Sequence, residues 1–364
     1  MISPTTTAIP PTHLAFRRSP GPGTEQTPLP LQLTTEPTLP ASGRLGPHDV
    51  LVRVRAVSLN YRDALMLRGT YPGGAVLPGG VVASDCAGEV VAVGGGVTRF
   101  AVGERVVPTF VTGGALEEGG VALTLGGEVD GVLREFVVLG EEGLVRLPGH
   151  LSWEEGATLG CAAVTAWKAV GAPDSLDKNK SVLIQGTGGV SMFALLIALA
   201  GGLKPIITSS SDGKLAGLIT KLGAPGLVSY NYRTNPDQVA EVQRLTGGKG
   251  VDYVVNNNGP PGIPADIDSL VPSHGVISIV GFLGGRSANW NPGKLLALIA
   301  KTARLQGIAA GSKLDFEALN KFLDEKQVRL YPLVDDKVFN FEDSQAALDY
   351  LWSGKHVGKV VIRV

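Results

Sequence analysis

The chain has 364 residues, enough for two domains with substantial cores, and a formal charge of −1 from 32 basic and 33 acidic side chains. The basic residues are scattered rather than clustered, which disfavours nucleic-acid binding, and the longest apolar run, Met192 to Ala200, is far short of the roughly 20 residues a membrane span needs. Two cysteines, Cys86 and Cys161, are too few for a disulfide scaffold and point to a reducing compartment, the cytosol.

In chain order, Met1 to Pro11 is rich in Thr and Pro and reads as a disordered tail, placed at residues 1–12; it lacks the basic start and apolar core of a secretory signal. Short Val-rich runs broken by turn residues follow, at Val50–Val57, Ala87–Val93, Arg105–Pro108 and Phe136–Leu139. That spacing predicts an irregular, mostly β domain. From about Trp153 the pattern changes to apolar strand, turn and helix in repetition. Strands are expected at Val182–Ile184, Ile206–Thr208, Leu227–Tyr230, Val251–Asn256 and Val276–Gly281. Such alternation predicts a Rossmann-type, doubly wound parallel sheet with helices on both faces, an α/β fold. Two amphipathic helices, around Glu317–Lys326 and Glu342–Trp352, and a last strand in Gly358–Val364 are expected to return to the first domain. The expected boundaries are 13–154 with 313–364 for the β-rich domain and 155–312 for the parallel sheet.

The most informative stretch begins at Ser181. Val182–Ile184 supply a buried strand, Gly186, Gly188 and Gly189 a turn without side chains, and Met192–Ala200 a helix. Val190 lies between turn and helix, and Ser191 stands where a third glycine would be. A helix N-terminus offers unpaired N–H groups and the positive end of a dipole, which suits the diphosphate of a dinucleotide. The next strand ends at Ser209, Ser210 and Ser211, with Asp212 as an expected N-cap and Lys214 one turn on. The interval from Gly186 matches the roughly 20 residues that separate a diphosphate turn from its ribose-reading loop. A carboxylate at that strand end would suit a ribose 2′-hydroxyl. Hydroxyls and an ammonium suit a 2′-phosphate, so the expected coenzyme is NADPH. Tyr232 or Arg233, after the following strand, falls near the same phosphate.

Several longer words resemble the medium-chain dehydrogenase/reductase superfamily over nearly all of the chain after about residue 45. They are Asp49-Val-Leu-Val-Arg-Val-Arg-Ala-Val-Ser-Leu-Asn-Tyr-Arg-Asp63, Gly88-Glu-Val-Val-Ala-Val-Gly94 with Gly103-Glu-Arg-Val106, Thr158-Leu-Gly-Cys-Ala-Ala-Val-Thr-Ala-Trp167, the glycine turn, and Gly358-Lys-Val-Val361. The resemblance implies a GroES-like β-rich catalytic domain beside the Rossmann domain. Within the superfamily the chain is similar to the zinc-free branch that includes quinone oxidoreductases and enoyl reductases. Zinc-dependent members carry Cys where Asn60 stands and a His-Glu pair where Ser84 and Asp85 stand. Asn and Ser are poor zinc ligands, and Cys161 alone cannot hold the metal, so no metal is expected.

The resemblance also implies residue roles. Asn60 and Tyr61 would offer N–H and O–H donors to a developing oxyanion, with Tyr61 or water returning the proton. Thr165 would approach the nicotinamide, and Gly311, in Gly307–Ser312, would lie where the backbone holds the carboxamide. Asn256, Gly281 and Phe282 fall at the ends of two parallel strands, where ligands bind in open α/β sheets. The glycine-rich loop from Thr109 to Gly131 would lie near the substrate. Together these readings imply a hydride transfer from NADPH to a small molecule, either an α,β-unsaturated carbonyl or a quinone, by a homodimer or a monomer. A zinc-free alcohol dehydrogenase or aldehyde reductase, and a non-enzymatic NADPH-binding protein, are the alternatives.

Overall fold

The structure is a computed structural model and describes residues 9–74, 76–112, 122–174 and 176–364. Most of the expected tail, and residues 113–121 of the expected substrate loop, lie outside the described residues. The chain divides into two compact units, one holding residues up to Cys161 with Asp336–Lys355 and Val360–Val364, the other Ala162–Asp335 with His356–Lys359.

The first unit begins with an antiparallel ribbon of β1 (Thr12–Arg18) and β2 (Leu31–Pro37). Then come β3 (Asp49–Ser58), helix α1 (Tyr61–Leu67), β4 (Asp85–Val93), β5 (Arg105–Pro108), β6 (Phe136–Gly140), β7 (Leu144–Arg146) and α2 (Trp153–Ala157). Strand β3 is buried on both faces and pairs with both β4 and β6, so Val50, Val52, Val54 and Val57 form the middle of the core with Val90, Val106 and Leu133. The sequence reading did not foresee β1 or β2. Their residues alternate poorly, and charge joins the buried Ala15 and Phe16 in holding the ribbon. Glu36 accepts from Arg17 Nε (2.5 Å) and Nη2 (3.1 Å), from Arg134 Nη2 (2.8 Å) and from Thr34 Oγ1 (2.9 Å).

Burial alone would raise the Glu36 carboxyl, but the hydrogen bonds from Arg17 and Thr34 and the charge of Arg134 outweigh it and hold the group at about 2. A carboxyl held below its ordinary value contributes stability that is complete above that value and is lost as pH falls towards 2. The Glu36→Gln variant is therefore expected to be less stable by about 2 kcal/mol at pH 7. The gap should narrow steadily under acid, as urea unfolding at neutral pH and near pH 3 would read.

The second unit opens with α3 (Val164–Ala169) and builds a six-stranded sheet from β8 (Ser181–Ile184), β9 (Lys204–Ser209), β10 (Val228–Asn231), β11 (Tyr253–Asn256), β12 (Val276–Ile279) and β13 (Arg304–Gly307). All its pairings are parallel, in the order β10-β9-β8-β11-β12-β13. The connecting helices are α4 (Gly189–Gly201), α5 (Asp212–Leu222), α6 (Gln238–Thr246), α7 (Ile263–Ser269) and α8 (Leu296–Ala300). Helix α4 starts three residues earlier than expected and is apolar nearly all round, with Met192 to Ala198 buried and Leu199 exposed near its C-terminal end, as suits a helix packed on most of its sides. It stops at Gly202, whose φ of 84° supplies the left-handed cap. Edge strand β13 was not foreseen; Arg304 and Gly307 are exposed, so it lacks the apolar run of its neighbours.

Helix α9 (Lys313–Glu325) also belongs to the second unit, although the sequence reading assigned 313–335 to the first. Its Phe322 packs against Trp167 of α3, with ring centroids 5.2 Å apart. The chain then re-enters the first unit with β14 (Phe339–Asn340), α10 (Ser344–Trp352) and β15 (Val361–Arg363), which pairs antiparallel to β3. Among the described residues no helix is long and apolar enough to cross a membrane.

Candidate active site

The glycine turn lies between β8 and α4 at the C-terminal end of the parallel sheet. Gly186 has φ of 81°, a conformation side chains disfavour, and its N–H donates to Thr208 Oγ1 at 3.1 Å. Gly188 is the N-cap of α4, in extended backbone, and no side chain caps the helix there. A Cβ built on Gly188 would meet no atom within 4 Å. The space at the side-chain position of Gly188 is therefore open, beside the start of a helix whose first N–H groups are of the kind that receives an anion. Half-buried Val190 follows, and Ser191 Oγ donates to the Gln185 carbonyl at 2.8 Å, so the serine closes the strand against the helix in the missing glycine's place.

The structure adds a residue to this turn. Gly358 pairs with Gly188 and donates its N–H to the Thr187 carbonyl at 3.1 Å, which sets buried Lys359 beside the turn. A Cβ on Gly189 would lie 2.7 Å from Lys359 Cδ. In the sequence the Gly-Lys pair reads as part of a returning strand and of the family resemblance, with no link to the turn. Its distance along the chain from Gly188 hid its neighbour.

At the end of β9, Ser209 is buried and its Oγ accepts from the Ser211 N–H at 3.2 Å, while Ser210 is half-buried. The N-cap of α5 is Ser211, accepting from Lys214 N at 3.3 Å; the expected cap, Asp212, is instead the exposed first residue of the helix. Serine one position earlier reaches the N3 amide, so the aspartate is not needed there. Lys214 Nζ donates to the His356 carbonyl at 2.9 Å, and burial pushes its ammonium below the usual lysine range, with Asp335 opposing. Tyr232 is exposed and its N–H donates to the Ser209 carbonyl at 3.0 Å. Ser209, Ser211, Lys214 and Tyr232 thus share one corner, with no carboxylate at the end of β9 itself.

The strand ends beyond carry a surprise. Asn256 is fully buried, donating to Asp266 Oδ2 at 2.5 Å and accepting from Gly259 N at 2.6 Å. Its amide is engaged inside the unit rather than turned to a ligand, as the sequence had suggested. Gly281 and Phe282 meet this loop directly, since a Cβ on Gly259 would lie 2.9 Å from Phe282 Cα. Elsewhere in the same unit, a Cβ on Gly311 would run into the side chain of Val164, so Gly311 packs against α3 next to buried Thr165.

In the first unit, Asn60 is the N-cap of α1 and Asp85 starts β4. Asn60 Nδ2 donates to Ser84 Oγ at 3.3 Å and to Asp85 Oδ2 at 3.0 Å; Ser84 Oγ donates to Asp85 Oδ1 at 2.8 Å, and Cys161 N to Asp85 Oδ2 at 3.2 Å. The sequence reading gave Asn60 an outward donor role, whereas both its N–H groups point into this cluster. The donor set is also wrong for zinc: an amide nitrogen and a hydroxyl replace ionisable ligands, and the carboxylate already accepts hydrogen bonds on both oxygens. Among the described residues no three or more His, Cys, Asp or Glu side chains are placed to hold a metal ion. Tyr61, 39% exposed, stacks on Trp352 at 5.7 Å between ring centroids. Partial burial raises its hydroxyl above the usual tyrosine value, so it stays a donor at neutral pH.

A β-rich unit with this cluster and a parallel sheet with a bare glycine turn define a two-domain dinucleotide-binding oxidoreductase. Comparison with known proteins agrees. Residues 46–149 match the alcohol dehydrogenase GroES-like domain and residues 189–325 the zinc-binding dehydrogenase family. A zinc-type alcohol dehydrogenase-like protein of Schizosaccharomyces pombe is 38% identical over 88% of this chain and 92% of its own length. The quinone oxidoreductase of Pseudomonas aeruginosa is 33% identical over 69% of this chain and 70% of its own length. A solved structure from Sinorhizobium meliloti, described as an alcohol dehydrogenase, is 34% identical with a TM-score of 0.84, covering 98% of this chain and all of that one. The chain belongs to the medium-chain dehydrogenase/reductase superfamily, and its architecture is that of the NAD(P)-dependent oxidoreductases in it.

Proposed function

We propose that this protein is an NADPH-dependent, zinc-independent reductase of activated acceptors, either α,β-unsaturated carbonyls or quinones. The observation that carries the reading is the open space above Gly188, where a diphosphate can reach the first N–H groups of α4. Lys359 adds a positive charge beside that turn. Ser210, Lys214 and Tyr232 supply the hydroxyls and the ammonium for a 2′-phosphate, while Ser209, buried, shapes their loop. Thr165 and Gly311 form one wall for the nicotinamide and Gly281 and Phe282 another. Asn256 supports that second wall from within.

The coenzyme, when bound, supplies the hydride. An enone takes it at its β-carbon and leaves an enolate; a quinone takes it and leaves a hydroquinone anion. Either product needs one proton, which Tyr61 gives from its hydroxyl, with water restoring it. Asn60, Ser84 and Asp85 form a rigid polar frame next to Tyr61 in sequence and fix the start of α1. The reading takes some support from the similarity to a quinone oxidoreductase. An acceptor already polarised by conjugation asks less of such a site than a plain alcohol or aldehyde, which would need a Lewis acid or strong donors at oxygen.

Purified protein is expected to oxidise NADPH in the presence of enones or quinones, followed by loss of coenzyme absorbance. Turnover of saturated aldehydes alone would replace this with an alcohol dehydrogenase reading. Tight NADPH binding with no turnover of any acceptor would make the protein a non-enzymatic binder.

A further inference from the structure

Beneath the glycine turn lies a carboxylate that no part of the reaction above uses. Asp266, on α7, is fully buried, and its partners are three side-chain amides. Oδ1 accepts from Gln185 Nε2 and from Gln238 Nε2, both at 2.8 Å, and Oδ2 from Asn256 Nδ2 at 2.5 Å. Burial lifts its carboxyl to about 6 against the effect of these hydrogen bonds, so at neutral pH it is mostly the carboxylate. A buried charge held only by neutral amides is a poor way to stabilise a fold.

An ionised carboxylate does one thing no neutral side chain of its size can do. It accepts at every lone pair and donates nowhere, so every amide that faces it must present its NH₂. For Gln185, which directly precedes Gly186, this turns Oε1 towards the Asn258 N–H, 3.3 Å away. For Asn256, it turns Oδ1 towards the Gly259 N–H, 2.6 Å away. One carboxylate thus sets the orientation of three amides, and two of them, Gln185 and Asn256, then grip the backbone of the loop after β11. The Gln185 carbonyl completes the link, accepting from Ser191 Oγ at 2.8 Å and from Asn257 Nδ2 at 3.1 Å.

We infer that Asp266 is a positioning residue for the coenzyme, holding the glycine turn and the loop of Asn256–Gly259 in register through the amides of Gln185 and Asn256. The inference rests on the NADPH reading of the turn and adds a residue to it that touches no ligand. In the Asp266→Asn variant the new amide presents an NH₂ to one of its partners, one of the two amides must turn over, and its grip on the loop is lost.

Coenzyme dissociation constants, kcat and acceptor KM would be measured for wild type, Asp266→Asn, Gln185→Met and the double variant. Asp266→Asn is expected to weaken NADPH binding about tenfold, with kcat at saturating coenzyme and acceptor KM changed by less than about twofold. The Gln185→Met variant should show the same split, and its loss and that of Asp266→Asn should combine less than additively, because the two share the Gln185–Asp266 bond. Ser269→Ala, which removes a 3.3 Å contact to Gln238 and the hydroxyl's 2.7 Å bond to the Ala265 carbonyl within α7 but leaves the bonds of Asp266 in place, should leave coenzyme binding unchanged. If Asp266→Asn does not fold, Gln185→Met alone decides. Wild-type affinity in Asp266→Asn, equal losses in coenzyme and acceptor parameters, or fully additive effects would each overturn the inference. If wild type holds NADH more tightly, only the coenzyme choice falls and the same comparison is made with NADH. If it holds neither, both readings fall.

Discussion

Replacing Gly188 with valine is expected to raise the coenzyme dissociation constant by at least about 100-fold while the protein folds and melts nearly as before. The two halves of that expectation come from the same geometry. Gly188 has φ of −79° and ψ of 179°, extended backbone that a β-branched residue adopts readily, and its added Cβ meets nothing within 4 Å. The cost to the fold is then only that of a poor N-cap, about 1 kcal/mol. A diphosphate oxygen, however, must come within about 2.7–3.2 Å of the backbone N–H groups, and an isopropyl group in that space forbids it. Gly189→Val makes the contrast: its Cβ would collide with Lys359, so both folding and binding should suffer. Coenzyme titration with circular dichroism on the two variants would check this. Normal coenzyme binding by a folded Gly188→Val protein would move the site away from the turn.

The parts of this site that lie within one supersecondary unit were legible in the sequence. A buried strand, a glycine turn and an apolar helix announce themselves because each constrains its own residues, and the serine-rich end of β9 follows at a fixed interval. Residues whose roles depend on partners far along the chain were not legible. Asp266 meets Gln185 across 81 positions and Asn60 meets Asp85 across 25, so neither the inward turn of Asn60 nor the orienting role of Asp266 leaves a local pattern. Lys359 was hidden for the same reason, although its Gly-Lys pair was in view. Strands β1 and β13 were missed on a different ground: a charged ribbon and a half-exposed edge do not show the apolar runs from which strands are read. The capping of α5 by Ser211 rather than Asp212 is a one-residue matter, decided by which side chain reaches the N3 amide.

Loss of the Lys214 ammonium is expected to separate the two coenzymes. A charge-assisted hydrogen bond to phosphate is worth about 1.5–3 kcal/mol, so Lys214→Ala should weaken NADPH binding by roughly 10- to 100-fold. NADH lacks the 2′-phosphate and should bind as it does to wild type. In the free protein the ammonium is half-buried against the His356 carbonyl, in surroundings that disfavour its charge. An arriving dianion relieves that penalty, which makes the site receptive to phosphate in a way an exposed lysine would not be. Lys214→Arg keeps the charge and should retain most of the preference. Lys359 supplies the internal control: it lies beside the diphosphate turn, so Lys359→Met should weaken both coenzymes alike. Titrating NADPH and NADH against the three variants reads the difference directly. A parallel loss of both coenzymes in Lys214→Ala would assign that ammonium to the diphosphate or to the packing of His356, and would leave the 2′-phosphate without its principal cation.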